Sequence, residues 1–133
     1  MRLIISILIA FLTVSSCKKD KESCAAGTGG DLTLKAYPQH HSKTIPNLPN
    51  YRDTIYVKLN TNNAPGVNPA NYDLYFVGNP GEDYVNLTGM KCGDYFLLGA
   101  GYDTTISQRV VGGVPFSTEQ TEGEIIIYIP VTE

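Results

Sequence analysis

From residue 31 onward, apolar and polar positions alternate in short runs, with no window of helical period. The two-residue period predicts half-buried β-strands. Leu32, Leu34 and Ala36 alternate with Thr33, Lys35 and Tyr37, and Ile55, Val57 and Leu59 alternate with Thr54, Tyr56 and Lys58. Further strand-like runs are Leu74 to Val77, Tyr84 to Leu87, Tyr95 to Ala100, Gln108 to Val111, Val114 to Thr118 and Glu124 to Val131. The last is the most apolar, with Ile125, Ile126, Ile127 and Ile129, and is expected to lie centrally in a sheet, flanked by Glu122, Glu124 and Pro130 as gatekeepers against aggregation. Asn79-Pro80-Gly81, Cys92-Gly93-Asp94 and Gly112-Gly113 carry turn or bulge chemistry between these runs. Seven to eight short strands predict an all-β, Ig-like or prealbumin-like β-sandwich over residues 31–133.

The first residues follow a different pattern. Arg2 precedes an apolar run from Leu3 to Val14, too short for the roughly 20 residues of a membrane-spanning helix but matching the charged and apolar regions of a secretory signal. The run closes on Leu12-Thr13-Val14-Ser15-Ser16-Cys17, which resembles the lipobox of bacterial lipoproteins. Small residues fit a narrow peptidase site, and a thiol accepts diacylglycerol as a stable thioether. The expected organisation is therefore a signal peptide over residues 1–16, a lipidated flexible tether over 17–30 with Cys17 as the anchor, and the sandwich over 31–133. Several acyl chains such as palmitate, at about 0.8 kcal/mol per buried methylene, hold a protein at a membrane far more firmly than one chain.

The stretch Asn86 to Tyr102 resembles an element of the carboxypeptidase regulatory-like and transthyretin-like sandwiches, with Leu87, Gly93, Tyr95, Gly101 and Tyr102 at the matching positions. Lys43-Thr44-Ile45-Pro46 fits that family's turn into its second strand. Residues 31–133 are also similar to small Bacteroidota lipoproteins of this architecture, through Gly101-Tyr102-Asp103, Val111-Gly112-Gly113-Val114-Pro115 and Pro130-Val131-Thr132-Glu133. The charged tract after Cys17 resembles the export tethers of surface lipoproteins in that phylum, although Lys21 stands between Asp20 and Glu22 where adjacent acids are usual. The resemblance implies a structural, docking or ligand-binding module in the cell envelope, attached to the outer membrane on its periplasmic or surface side. Fold analogy does not supply a site. Related hydrolases end in a Tyr-Arg-Gly-Ser-like tail, which Val131-Thr132-Glu133 lacks, so their activity is not carried over.

Charge narrows the partners. Residues 31–133 hold six bases, Lys35, Lys43, Arg52, Lys58, Lys91 and Arg109, against eleven acids, a balance that repels phosphate backbones and argues against nucleic acid. The expected partners are the membrane, through the lipid, and another envelope protein. No cofactor and no catalytic constellation is read, and the protein is expected not to be an enzyme. Nine tyrosines and the Asn-rich segment with Asn60, Asn62, Asn63, Asn68 and Tyr72 are candidate recognition groups, each also at home on a sandwich surface.

The only histidines, His40 and His41, are adjacent, so a strand would point them to opposite faces while a turn would let them converge. They read as exposed loop residues or as a metal site completed by an acid such as Asp103, the latter giving an alternative function as an envelope metal-binding protein. Glu82-Asp83 reads as a solvated turn or a weak calcium site. Cys24 and Cys92 remain after lipidation, and export permits a disulfide between them; a free Cys92 and a dangling Cys24 are the alternative.

Overall fold

The structure, a computed structural model, describes residues 23–133; the expected signal peptide and the expected lipidation site, Cys17, lie outside them. Eight strands form two four-stranded sheets: β1 (Thr28–His40), β2 (Lys43–Thr44), β3 (Thr54–Leu59), β4 (Leu74–Val77), β5 (Val85–Met90), β6 (Gly93–Asp103), β7 (Gln108–Thr118) and β8 (Glu122–Pro130). In the first sheet β1 is central, with β2 and β5 antiparallel on one side and β8 parallel on the other. The second runs β4-β3-β6-β7, antiparallel throughout. The architecture is the all-β sandwich that the alternation predicts.

Every second residue of β1 points inward, from Leu32 through Leu34, Ala36 and Pro38 to His40. These meet Val85 and Leu87 of β5, Ile127 and Ile129 of β8, and the facing Ile55, Val57, Tyr95 and Leu97 of the second sheet. Each such large apolar side chain contributes about 1.5 to 3 kcal/mol on burial.

Four expectations are corrected. The domain begins before residue 31, because β1 starts at Thr28 and the segment ahead of it is fastened: Cys24 is bonded to Cys92, and Gly27 accepts from the Lys91 amide at 3.0 Å while its own N–H donates to the Tyr95 hydroxyl at 3.1 Å. Residues 24–30 are thus not a free spacer. Gly112-Gly113 is not a break; both residues continue β7, opposite Gly99 and Leu98. A Cβ at Gly112 would collide with the Pro130 carbonyl oxygen and one at Gly113 with the Phe96 ring, so glycine answers close approach there. Strand β8 is not central: among the described residues it pairs only with β1, leaving an edge. Its alternation still buries Ile127 and Ile129 while exposing Ile126 and Tyr128. The fourth correction concerns the histidines.

Candidate functional site

His40 occupies the last inward position of β1, so strand periodicity, not a loop, decides its burial; the residue is 4% exposed. An imidazole withdrawn from water needs partners for both nitrogens. Its Nδ1 lies 2.7 Å from Asp103 Oδ2, at the end of β6, and its Nε2 2.9 Å from Glu133 Oε2. Ionised carboxylates only accept, so this pair of contacts suits the imidazolium form of His40, in which both ring nitrogens donate. The Asp103 contact, opposed by burial and helped by Glu133, raises its affinity for the proton above the ordinary histidine range. Reciprocally, the Thr105 hydroxyl and then His40 hold the Asp103 carboxyl down to about 2. The Glu133 carboxyl is also lowered, first by its own backbone N–H and then by His40.

Beyond His40 the chain reverses through His41 and Ser42, both with positive φ (48° and 64°), into β2. That two-residue reversal is the geometry that Asn-Gly normally fills. It places the exposed His41 ring beside His40, with centroids 4.1 Å apart, instead of on the opposite face. Glu133 arrives because β8 runs parallel to β1 with Gln39 opposite Pro130, after which the Val131 amide donates to the Gln39 carbonyl at 2.9 Å. His40, His41 and Glu133 therefore converge, each with a ligand atom within 4.8 Å of the others. Asp103 does not join them. It sits at the other ring nitrogen, with Oδ1 fixed by the Thr105 amide at 2.8 Å and hydroxyl at 2.6 Å.

Along the loop from Asn60 to Tyr72 the polar side chains mostly hold the loop itself. Asn62 Nδ2 donates to Tyr95 O at 3.2 Å, Asn68 Oδ1 accepts from the Ala70 amide at 3.0 Å, and the Tyr72 hydroxyl donates to Gly66 O at 2.7 Å. Asn60 takes the left-handed φ of 59° with its amide bonded to Asp94 O, and Asn63 is exposed with its amide on Thr61 Oγ1. The side chains of three of the five candidate recognition residues, Asn62, Asn68 and Tyr72, are thus engaged in building or anchoring the loop. At the Glu82-Asp83 turn, Glu82 Oε2 accepts from Asn79 Nδ2 at 3.3 Å.

A tyrosine row crosses the outer face of the first sheet. Tyr37 of β1 stands opposite Tyr128 of β8 and against Tyr84, just before β5, with ring centroids 5.5 Å apart in each pair. Lys35 covers the Tyr84 ring at 4.6 Å and pairs with Glu124 at 3.3 Å, and Ile126 and Tyr128 remain 53% and 56% exposed.

One buried group escaped the sequence reading. Asp53 precedes Ile55 and Val57 on the inward side of β3, is fully buried, and neither carboxylate oxygen has a hydrogen-bond partner. Burial pushes its carboxyl up to about 7. Its backbone is better served: the amide donates to Asn47 Oδ1 at 2.7 Å, and the buried Asn47 side chain donates to the Glu82 and Tyr84 carbonyls. Extending the odd-numbered alternation of β3 back by one step was the available signal. Comparison with family models, with curated proteins and with solved structures finds no match for this chain.

Proposed function

We propose that the protein is a noncatalytic β-sandwich module of the carboxypeptidase regulatory-like or transthyretin-like kind, held at the bacterial outer membrane by acyl chains on Cys17 and contacting another envelope protein. The observation that carries the interaction reading is the outer-face row of Tyr84, Tyr37 and Tyr128 beside exposed Ile126 on the edge strand. Tyrosines combine a large apolar ring with a hydroxyl and lose little rotamer entropy on contact, which suits them to protein interfaces. The lipobox-like run ending at Cys17 supports the anchor, and the acidic surface favours protein over nucleic acid.

A photo-crosslinking residue at position 128, in cells making the full chain, tests the surface. The expected result is a discrete crosslinked species that disappears with Ile126→Glu, a change on the same face away from the probe. Absence of such a species, or its persistence in Ile126→Glu, overturns the interaction reading. Cys17→Ala should move the protein out of the membrane fraction; continued lipid labelling of that variant would overturn the anchor.

A further inference from the structure

We propose that His40, His41 and Glu133 form a binding site for a zinc-class divalent transition-metal ion, with Asp103 as its positioning residue. This goes beyond the interaction surface, which lies on other residues of the outer face. Two imidazoles and one carboxylate are a borderline donor set suited to Zn(II), Co(II), Ni(II) and Cu(II) and poorly matched to Mg(II) or Ca(II).

The geometry favours capture at Nε2 of His40. Asp103 is itself held by two bonds from Thr105 and accepts from His40 Nδ1, which fixes the ring plane and keeps the proton of a neutral imidazole on Nδ1. The remaining nitrogen then carries its lone pair toward Glu133, with a ring nitrogen of His41 within 4.8 Å in the same cluster. A carboxylate behind a ligating imidazole is the arrangement by which proteins orient metal-binding histidines. In the imidazolium form that Nε2 instead carries a proton, which it donates to Glu133 across 2.9 Å. Metal entry releases that proton to solvent, and Glu133 changes from hydrogen-bond acceptor to ligand.

The distances require little movement. Ligands around tetrahedral zinc stand roughly 3.3 Å apart, given bond lengths near 2.0 to 2.1 Å. The cluster already lies within 4.8 Å, and its two outer members, His41 and Glu133, are exposed side chains free to turn inward. Their exposure leaves a fourth position for water. The positive φ at both His41 and Ser42 is what brings the second imidazole to this side. A non-glycine pair rarely holds such a conformation, and here the reversal it makes places a ligand.

The test is titration of the untagged, detergent-purified full chain with Co(II) and Zn(II). One Co(II) per chain at micromolar metal, with visible d–d bands of a low-coordinate nitrogen and oxygen site that Zn(II) bleaches, is expected. His41→Ala, an exposed change that leaves the core intact, should weaken binding at least tenfold, and Glu133→Gln likewise. Asp103→Asn should keep the stoichiometry, lower affinity ten- to a hundredfold and shift the bands. Failure of the native chain to bind, or His41→Ala binding as tightly as the native chain, overturns the site; unchanged affinity and spectrum in Asp103→Asn overturn the positioning role.

Discussion

Asp53 lies against a gap in the side-chain layer of β6: a Cβ at Gly101 would come within 2.5 Å of Asp53 Oδ1. The carboxyl therefore occupies the space that any larger residue at position 101 would fill, and with no donor nearby it is stable there as the neutral acid.

Stability should accordingly fall as pH rises. The folded-state value of about 7 stands above the ordinary value of 3.8, so between those limits the unfolded chain has released a proton that the folded chain retains. The contribution is intact below pH 4, is lost progressively up to pH 7, and is constant above it, with a total of up to about 4 kcal/mol. Urea unfolding at pH 5 and pH 8 measures the larger part of it, about 3 kcal/mol. Asp53→Asn should remove most of the slope, and an unchanged slope would place the titration elsewhere.

Gly101→Ala should destabilise the domain by about 1 to 3 kcal/mol, because the added methyl has a buried carboxyl in its place. In the double variant with Asp53→Ala the cost should shrink, giving a coupling energy of at least about 0.5 kcal/mol in a double-mutant cycle. Simple additivity would show that the contact is not the cause.

The Cys24–Cys92 bond closes a loop of 68 residues in sequence. Chain-entropy arguments value such a closure at about 4 kcal/mol, and measured losses in small domains run about 2 to 5. Denaturant midpoints with and without reductant should differ accordingly, and Cys92→Ser should match the reduced protein. Equal midpoints would mean that the bond contributes nothing to the fold.

Tyr95→Phe should cost about 1 to 3 kcal/mol although only a hydroxyl is lost. That oxygen donates to the Lys91 carbonyl at 2.6 Å and accepts from the Gly27 amide, so its removal leaves both backbone groups short of a partner. Hydrogen exchange at the Gly27 amide should rise in the variant; unaltered protection there would dissociate the hydroxyl from the docking of the N-terminal segment.

Local alternation made much of the sandwich readable, down to the bounds of β4 and the inward faces of β1 and β3. Boundaries failed where a residue had a second use. Pro38 and His40 hid the end of β1, although Pro38 falls where β5 pairing has ended, at Ala36, and β2 pairing has yet to begin, at Gln39. Gly112-Gly113 looks like a turn in sequence because the atoms it must avoid belong to Pro130 and Phe96. The histidine cluster was legible only in part: adjacency pointed to His40 and His41 and named Asp103. Glu133, 93 residues from His40, is delivered by a parallel pairing that no local pattern encodes.

That same pairing imposes an order in time. Nine consecutive registers, from Asp31 with Glu122 to Gln39 with Pro130, join the earliest strand to the latest, so β1 waits through the synthesis or translocation of nearly the whole chain before its second neighbour exists. Closing so distant a contact costs entropy before any burial rewards it, and domains dominated by such contacts fold in milliseconds to seconds. A chain truncated after Thr121 should therefore show no protection of the β1 amides, whereas the full chain should acquire protection in β1 and β8 in the same kinetic phase. Under the export proposed above, the consequence would be that the thread stays passable until the end: the first sheet cannot be completed ahead of a channel that the rest of the chain has yet to leave.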